Sequence, residues 1–377
     1  MKIENGKLIN YFLNNFKISN IKNIDHFLNF FYDEIQESIQ NTNNILDNDL
    51  IKSDIILPKD YNIIQNTSFI SNDIKDFIVK NTKFYYSFHF KIKLTNITIN
   101  IANYDEKNIN EMHNLLYSIL CWLYIGIKHK TKECSKYLKI YLFLTDFEKN
   151  INKCNILGPN NSNSGFTYAC AVDNTICIFR KEEIFKVLIH ETFHALGLDF
   201  SHKTFNVKRE MLNIYNIKSS FKISETYSEL WATIVNSLFF VYFKLKKQKK
   251  SVFFKKSISL LNLETAFSIY QSNKILKNMK LNYNLILKEN KFECKYKEKT
   301  SIFCYYILKS IFLINLQKFL EMCKNHNYLN IKNENDFIKL IIEIHNNDNK
   351  NNTINLYNYF ENKQVNYNDS LKMTILE

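Results

Sequence analysis

Glycine, proline and arginine are scarce in this chain. Its 377 residues include 5 glycines and 2 prolines, and Arg180 and Arg209 are the two arginines. Lysine therefore supplies nearly all of the positive charge, and with abundant Asn and Ile this is typical of coding in an AT-rich genome. Such coding enriches lysine by itself, so the net charge of +13 is weak evidence for nucleic-acid binding. We expect no nucleic-acid partner, and a Lys-rich nucleic-acid-binding protein stays an alternative.

The 8 cysteines include no C-x-x-C pair, which excludes a cysteine zinc knuckle. None precedes Cys121, so an N-terminal thiolate latch over a metal is excluded as well. Met1 to Asn20 lacks the uninterrupted apolar core of a secretory signal, which predicts a cytoplasmic protein. We therefore expect no disulfide framework, because a cytosol keeps thiols reduced.

Long apolar runs are also missing. The two longest stretches, 115–127 and 230–243, are shorter than the roughly 20 residues that a membrane span requires. We therefore predict buried helices at both places and no membrane span.

The chemistry of the chain is concentrated in the run His190-Glu191-Thr-Phe-His194, which follows an apolar segment. Two histidines four residues apart lie on one face of a helix, so their ring nitrogens can meet at one metal ion. The glutamate after the first histidine is then directed toward a water on that ion. A core helix whose two histidines bind backbone carbonyls is the alternative interpretation.

Gly197 follows His194 by three residues, where a helix end often needs a left-handed residue. The run to this glycine resembles the metzincin pattern His-Glu-x-x-His-x-x-Gly-x-x-His, and Ala-Leu-Gly-Leu-Asp is similar to its matrixin version. The resemblance ends at Phe200, which stands where that family has its third histidine. Asp199 or His202 replaces this ligand only if the chain takes a different path after the glycine.

Further along, Glu225 and Glu229 fall four residues apart on one face of a predicted helix. This arrangement resembles that of the gluzincins, in which a glutamate of a second helix is the third zinc ligand. By that resemblance, Zn²⁺ has the protein ligands His190, His194 and Glu225, and Glu229 supports a ligand histidine from behind. A solvated acidic first turn, or exchanged roles of the two glutamates, are the alternatives.

Two β-prone runs, 165–171 and 175–180, are joined around Asp173-Asn174 and predict a hairpin that leads into the motif helix. In zincin-fold peptidases the strand edge before this helix receives an extended polypeptide. By that resemblance the substrate binds along Gly165, Phe166, Thr167 and Tyr168. An ordinary hairpin is the alternative.

These features predict a zinc-dependent endopeptidase with a polypeptide substrate. Glu191 is the expected general base for a zinc-activated water. The donor that stabilises the oxyanion is left open among Tyr215, Tyr227, Arg209 and His202. A zinc-binding but non-catalytic virion or interaction protein with a zincin fold is the alternative from another class. The same motifs also look like those of uncharacterised zincin-like proteins encoded by large DNA viruses, which implies action in an infected cell's cytoplasm or in the virion.

The predicted fold class is α+β, with a zincin-like subdomain of a small mixed sheet and an active-site helix, followed by a mainly helical C-terminal region. Periodicity predicts an N-terminal helix from Ile24 to Ile39, a linker-like 41–49, strands over 84–101 that include Leu94, a helix over 110–127 and a strand over 137–147. The predicted regions are a helical 1–78, the zincin-like 79–200, a helical 201–346 that carries the third ligand, and an Asn-rich tail at 347–377 without assigned structure.

Overall fold

The structure is a computed structural model that describes residues 12, 21, 23–49, 51–56, 62–104, 109–151, 156–202, 207–245, 249–290, 295–331, 333–346, 348–362 and 368–376. The chain divides into two compact units. We call Asn29–Glu148 with Asn163–His202 the sheet unit. We call Met1–Leu28 with Lys149–Ser162 and Lys203–Glu377 the helical unit.

The sheet unit contains most of α1 and all the strands described. Its elements, in chain order, are α1 (Asp25–Asn44), a π-helix (Ile45–Asp49), β1 (Ile51–Ile56), α2 (Asn62–Gln65), α3 (Asn72–Asn81), β2 (Phe84–Ile92), β3 (Thr95–Asn103), α4 (Ile109–His129), β4 (Tyr137–Thr145), β5 (Gly165–Thr167), β6 (Asp173–Arg180) and α6 (Ile184–Ala195). The label α5 belongs to a short helix of the helical unit, Pro159–Ser162.

Among the described residues, the strands form one mixed sheet in the order β1-β2-β3-β4-β6-β5. The pairs β3–β4 and β4–β6 are parallel, and the other three pairs are antiparallel. Residues of β3 to β6 share a buried apolar core with Ile74 and Ile78 of α3. The helix α6 contacts β5, β6 and α4. The predicted mixed α+β class is confirmed.

The hairpin of β2 and β3 corrects one prediction. Leu94 was expected to alternate with buried residues in a strand, but its side chain is 80% exposed. Ile92 pairs with Thr95, so Lys93 and Leu94 form the two-residue turn, with Lys93 at φ 52°. The sequence has no Asn-Gly or Asp-Gly pair here that would predict a turn. The pairing of β2 with β3 determines where the turn lies.

The predicted linker at 41–49 is wrong, because α1 continues to Asn44 and a π-helix follows. Thr42 and Ile45 are buried, so packing holds this polar segment in a helix. The hairpin before α6 is confirmed, although Asp173 and Asn174 lie inside β6 and the turn precedes them.

The expectation of reduced cysteines is wrong for one pair, because Cys134 and Cys170 form a disulfide. Tyr137 of β4 pairs with Asp173 of β6 in parallel register, and each cysteine lies three residues before its strand begins to pair. Their Cα atoms are therefore 4.5 Å apart despite a sequence separation of 36. Closing a loop of this length stabilises a fold by about 3–4 kcal/mol in the chain-entropy model.

The helical unit is built from α5 and the helices that follow His202. These are α7 (Lys208–Ile214), α8 (Ile223–Leu245), α9 (Lys250–Asn278), α10 (Tyr283–Ile286), a π-helix (Phe303–Leu308), α11 (Lys309–Ile314), α12 (Leu316–Lys324), α13 (Glu334–His345) and α14 (Asp348–Asn362). The predicted helical C-terminal region is confirmed. Within the described ranges, no helix is long and apolar enough to cross a membrane.

The Asn-rich segment after Asn346 was assigned no structure, and this is wrong for the residues described. Residues 348–362 form α14, in which Tyr357 and Phe360 are buried. The segment 368–376 is anchored by the side chains of other elements, with Gln271 Nε2 donating to Lys372 O and Lys309 Nζ donating to Met373 O. Tertiary packing overrides the polar composition here.

Candidate metal centre

Both histidines of the motif lie on α6, whose residues from Phe185 to Ala195 are all buried. The helix ends as predicted, because Gly197 has φ +61° and its N–H donates to His194 O. Leu198 N–H donates to Phe193 O, which completes a Schellman motif. A Cβ at position 197 would lie 2.6 Å from Cys134 Sγ, so glycine is required here by space as well as by backbone conformation.

The two imidazoles face each other through their Nε2 atoms, which are 3.1 Å apart. Their ring planes are inclined by 76°. Two nitrogens bound to one tetrahedral zinc at the usual 2.0–2.1 Å would be separated by about 3.3 Å. The helix therefore presents two nitrogen atoms at nearly the separation that zinc requires.

Asp199 supports His194 from the opposite side of its ring. Its Oδ2 accepts a hydrogen bond of 2.6 Å from His194 Nδ1, and its side chain is fully buried. The Ser201 hydroxyl and N–H both donate to Asp199 Oδ1. A proton on Nδ1 leaves the lone pair of Nε2 free for a metal, which is the usual role of a carboxylate behind a ligand histidine. From the sequence, Asp199 was a candidate zinc ligand, and its hydrogen bond behind the His194 ring was not predicted.

Asp199→Asn is expected to weaken zinc binding by about 10-fold to 100-fold, the range for such outer partners. The amide keeps an acceptor for Nδ1 but removes the charge that makes the imidazole a stronger ligand. Competition with a chromophoric zinc chelator measures the change. Ser201→Ala is the matched control, because it removes a donor to Asp199 and should change the affinity by about threefold at most. Complete loss of zinc in Asp199→Asn would instead make Asp199 itself a ligand.

Glu191 lies beneath the edge strand β5. A Cβ built on Gly165 would be 3.1 Å from Glu191 Oε1 and 3.1 Å from Val187 Cγ1. Gly165 pairs with Ile178 and faces α6, whereas Phe166 pairs with Cys177 and enters the core on the other face. The absence of a side chain at position 165 therefore leaves room for the Glu191 carboxylate against the strand.

Gly165→Ala is expected to lower turnover by about tenfold while zinc stays bound, because the new methyl group displaces the Glu191 carboxylate by a few tenths of an ångström. Steady-state kinetics with zinc analysis would measure both quantities. Gly158→Ala is the control, since the Cβ added there meets Lys299 Cβ at an ordinary 3.4 Å. Equal turnover in the two variants would show that Glu191 tolerates the displacement.

The remaining predicted substrate residues lie along the same edge. No strand of the described residues pairs with the outer side of β5. Thr167 Oγ1 donates to Thr175 O at 2.9 Å, and Tyr168 is 62% exposed just beyond the strand. The outer side of β5 thus has no strand partner among the described residues, and its use by a substrate stays a prediction.

Glu225 lies in the first turn of α8 and is partly buried. His190 and His194 belong to the sheet unit and Glu225 belongs to the helical unit, so the role of Glu225 as third ligand stays a prediction. Glu229, one turn later, is buried, and its Oε1 accepts a hydrogen bond of 3.2 Å from Lys309 Nζ. This buried ion pair holds the part of α8 that follows Glu225.

The other candidates are distributed differently. Phe200 is buried and offers no ligand, and His202 is exposed. Arg209 is also exposed. Tyr215 is hydrogen-bonded through its hydroxyl to His345 Nε2, and Tyr227 OH donates to Tyr328 O at 3.4 Å. The oxyanion donor stays open among these residues.

Comparison with known proteins finds similarity to a viral protein. No family model and no solved structure matches the chain. It is similar to the uncharacterized protein R210 of Acanthamoeba polyphaga mimivirus, with 30% identity over 176 residues. The match covers 45% of this chain and 44% of that protein, so the chain spans less than half of its relative's length. The predicted likeness to a viral protein is confirmed at this level, and the relative assigns no activity.

Proposed function

We propose that this protein is a zinc-dependent endopeptidase of gluzincin type. The observation that carries the proposal is the pair of buried imidazoles on α6, with Nε2 atoms 3.1 Å apart and one ring held from behind by Asp199. A buried carboxylate on Nδ1 is the arrangement that prepares a histidine for a metal. Glu225, in the first turn of α8, would supply a third donor, with a negative charge that offsets part of the charge of zinc.

Two imidazoles and one carboxylate are the ligand set of catalytic rather than structural zinc sites. Structural sites are usually closed by four protein ligands, often cysteines, whereas catalytic sites have three and keep one position for water. The three proposed ligands, His190, His194 and Glu225, include no thiol. Zinc in this position would supply a Lewis acid and lower the pKa of a bound water to about 7.

Glu191 would perform the proton transfers. It follows His190 directly on α6, and its carboxylate lies against β5. It would accept a proton from the attacking water and return it to the leaving nitrogen of the peptide. A purely structural metal site has no use for such a base. This argues for an enzyme over a zinc-stabilised virion or interaction protein.

The substrate would be a polypeptide bound in extended form along the outer edge of β5. Main-chain pairing to a strand edge accepts almost any sequence, so specificity would come from side chains beside the strand. The likeness to a mimivirus protein supports our proposal that the activity belongs in an infected cell's cytoplasm or in the virion.

The proposal is tested by zinc analysis of purified protein together with a broad peptide-cleavage screen. Glu225→Ala should weaken zinc binding by more than about 100-fold, since both a coordination bond and charge neutralisation are lost. Ser237→Ala is the control on the same helix, because its buried hydroxyl donates to Thr233 O and it lies about 18 Å from Glu225 along the helix axis. Zinc without hydrolysis of any peptide would favour the non-catalytic protein. No zinc at all would refute the proposal.

A further inference from the structure

The C-terminal end of α6 is bound by the loop that precedes β4. Thr131 N–H donates to Leu196 O at 3.0 Å, and its hydroxyl donates to Gly197 O at 2.7 Å. The Ser135 hydroxyl donates to Ala195 O at 2.7 Å. These donors satisfy carbonyls that a helix end leaves without partners inside the helix.

A second loop, which precedes β6, binds the same helix end. Cys170 N–H donates to His194 O at 3.0 Å, so this loop contacts the backbone of a proposed ligand residue directly. Asn174 Nδ2 lies within hydrogen-bond distance of both Tyr168 O and Ala195 O, at 2.8 and 3.3 Å. The position of His194 therefore depends on both loops.

The Cys134–Cys170 disulfide joins these two loops beside the metal site. Cys134 N–H also donates to Thr131 O, and the Cys134 sulfur packs directly against Gly197. The disulfide thus links the two loops that hydrogen-bond to the C-terminal end of α6, around the residues that follow His194. In the described part of the chain the other cysteines, Cys121, Cys177, Cys304 and Cys323, are buried thiols without a disulfide partner.

We propose that the Cys134–Cys170 disulfide is a redox-modification site that controls the affinity of the metal centre. The proposal rests on the proposed zinc site. Oxidised, the bond holds the Cys170 N–H on His194 O and keeps the imidazole aimed at the metal. When the disulfide is reduced, the two loops move independently of each other. The His194 imidazole then loses part of the support that fixes its orientation.

The bond is placed for reduction. Cys134 is fully buried, but Cys170 is partly exposed and lies between Tyr168 and Val172, which are 62% and 49% exposed. A reductant would therefore attack the Cys170 sulfur first. A dithiol reductant gives both protein thiols their hydrogen and becomes a disulfide itself, so the exchange needs no other reagent.

The test compares zinc affinity in the oxidised and reduced protein. A phosphine reductant is suitable because it has no thiol to compete for zinc. Its phosphorus takes oxygen from water and is oxidised by two electrons, and the two protons of that water go to the new thiols. We expect reduction to weaken zinc binding by about tenfold or more, as loss of outer support does for ligand histidines. Alkylation and mass measurement confirm that Cys134 and Cys170 are reduced.

A variant that carries both Cys134→Ser and Cys170→Ser should bind zinc as weakly as the reduced protein and should not respond to the phosphine. Cys323→Ser is the matched control and should respond as the wild type does, since this buried thiol is in the helical unit. Circular dichroism at the assay temperature verifies that each protein is folded. Unchanged affinity after full reduction, or oxidised-like affinity in the double serine variant, would overturn the inference while leaving the zinc site intact. Absence of zinc binding in the oxidised protein would instead refute the proposed function and the inference together.

Discussion

Wild-type protein is expected to hold one zinc ion per chain, and the variant with both His190→Ala and His194→Ala is expected to hold none. Zinc-binding free energies of about 10–16 kcal/mol for four-ligand structural sites correspond to about 2.5–4 kcal/mol per ligand. Removing two of three protein ligands should therefore weaken binding by about 10⁴-fold or more. Metal analysis of protein after gel filtration measures the loss directly.

The matched control removes two histidines of the same unit that lie elsewhere. His89 is hydrogen-bonded to Ser87 and Thr98 on the sheet, and His129 contacts Glu34. A variant with both His89→Ala and His129→Ala should keep stoichiometric zinc. Since His190 and His194 are buried, thermal unfolding of the metal-free proteins must be compared to separate metal loss from misfolding. Full zinc occupancy in the variant that lacks His190 and His194 would show that zinc does not bind at the proposed site.

The variant without His190 and His194 tests the part of the site that the sequence predicted best, which is the local pattern of residues along one helix. His190 and His194 lie on one helix face because a helix repeats about every 3.6 residues, and Glu191 directly follows the first of them. Gly197 was predicted at the helix end because few other residues adopt a left-handed conformation there, and its φ of +61° confirms this. Such features depend on neighbouring residues alone, so the pattern was sufficient to find them.

What the sequence missed depends on the path of the chain. Asp199 supports His194 only because the Schellman turn at Gly197 directs the chain back past the imidazole. Cys134 and Cys170 meet only because β4 and β6 are parallel and in register. Residue spacing determines neither the direction of a turn nor the register of parallel strands, so neither contact could be predicted from the sequence.

The same distinction explains the error in the Asn-rich tail. The composition after Asn346 gave no apolar periodicity, yet Tyr357 is buried and stacks on Tyr283 of α10. A helix with few apolar residues is stable when those few enter a core that other elements supply. By contrast, Glu225 was identified as a ligand by a family resemblance and stays a prediction, because residue spacing alone does not determine which distant residues meet.

Glu191→Gln is expected to lower hydrolysis by about 10²-fold to 10⁴-fold, the range for loss of a general base, while zinc binding is retained. Glutamine keeps the size of the side chain beneath Gly165, so the packing of β5 on α6 should be preserved. It lacks the carboxylate that accepts a proton from water. The value of kcat/KM for the best peptide of the cleavage screen, with zinc content measured on the same samples, would show the change.

Two further variants separate loss of the base from loss of geometry. Glu191→Asp keeps a carboxylate but withdraws it by one methylene, and we expect partial activity that exceeds that of Glu191→Gln. Glu133→Gln removes a carboxylate that is exposed and paired with Lys136, and it should leave both zinc and turnover unchanged. If Glu191→Gln hydrolyses peptide as fast as the wild type, Glu191 is not the base. If Glu191→Asp is no better than Glu191→Gln, position and not basicity limits the reaction, because a displaced carboxylate of nearly the same pKa then cannot reach the water.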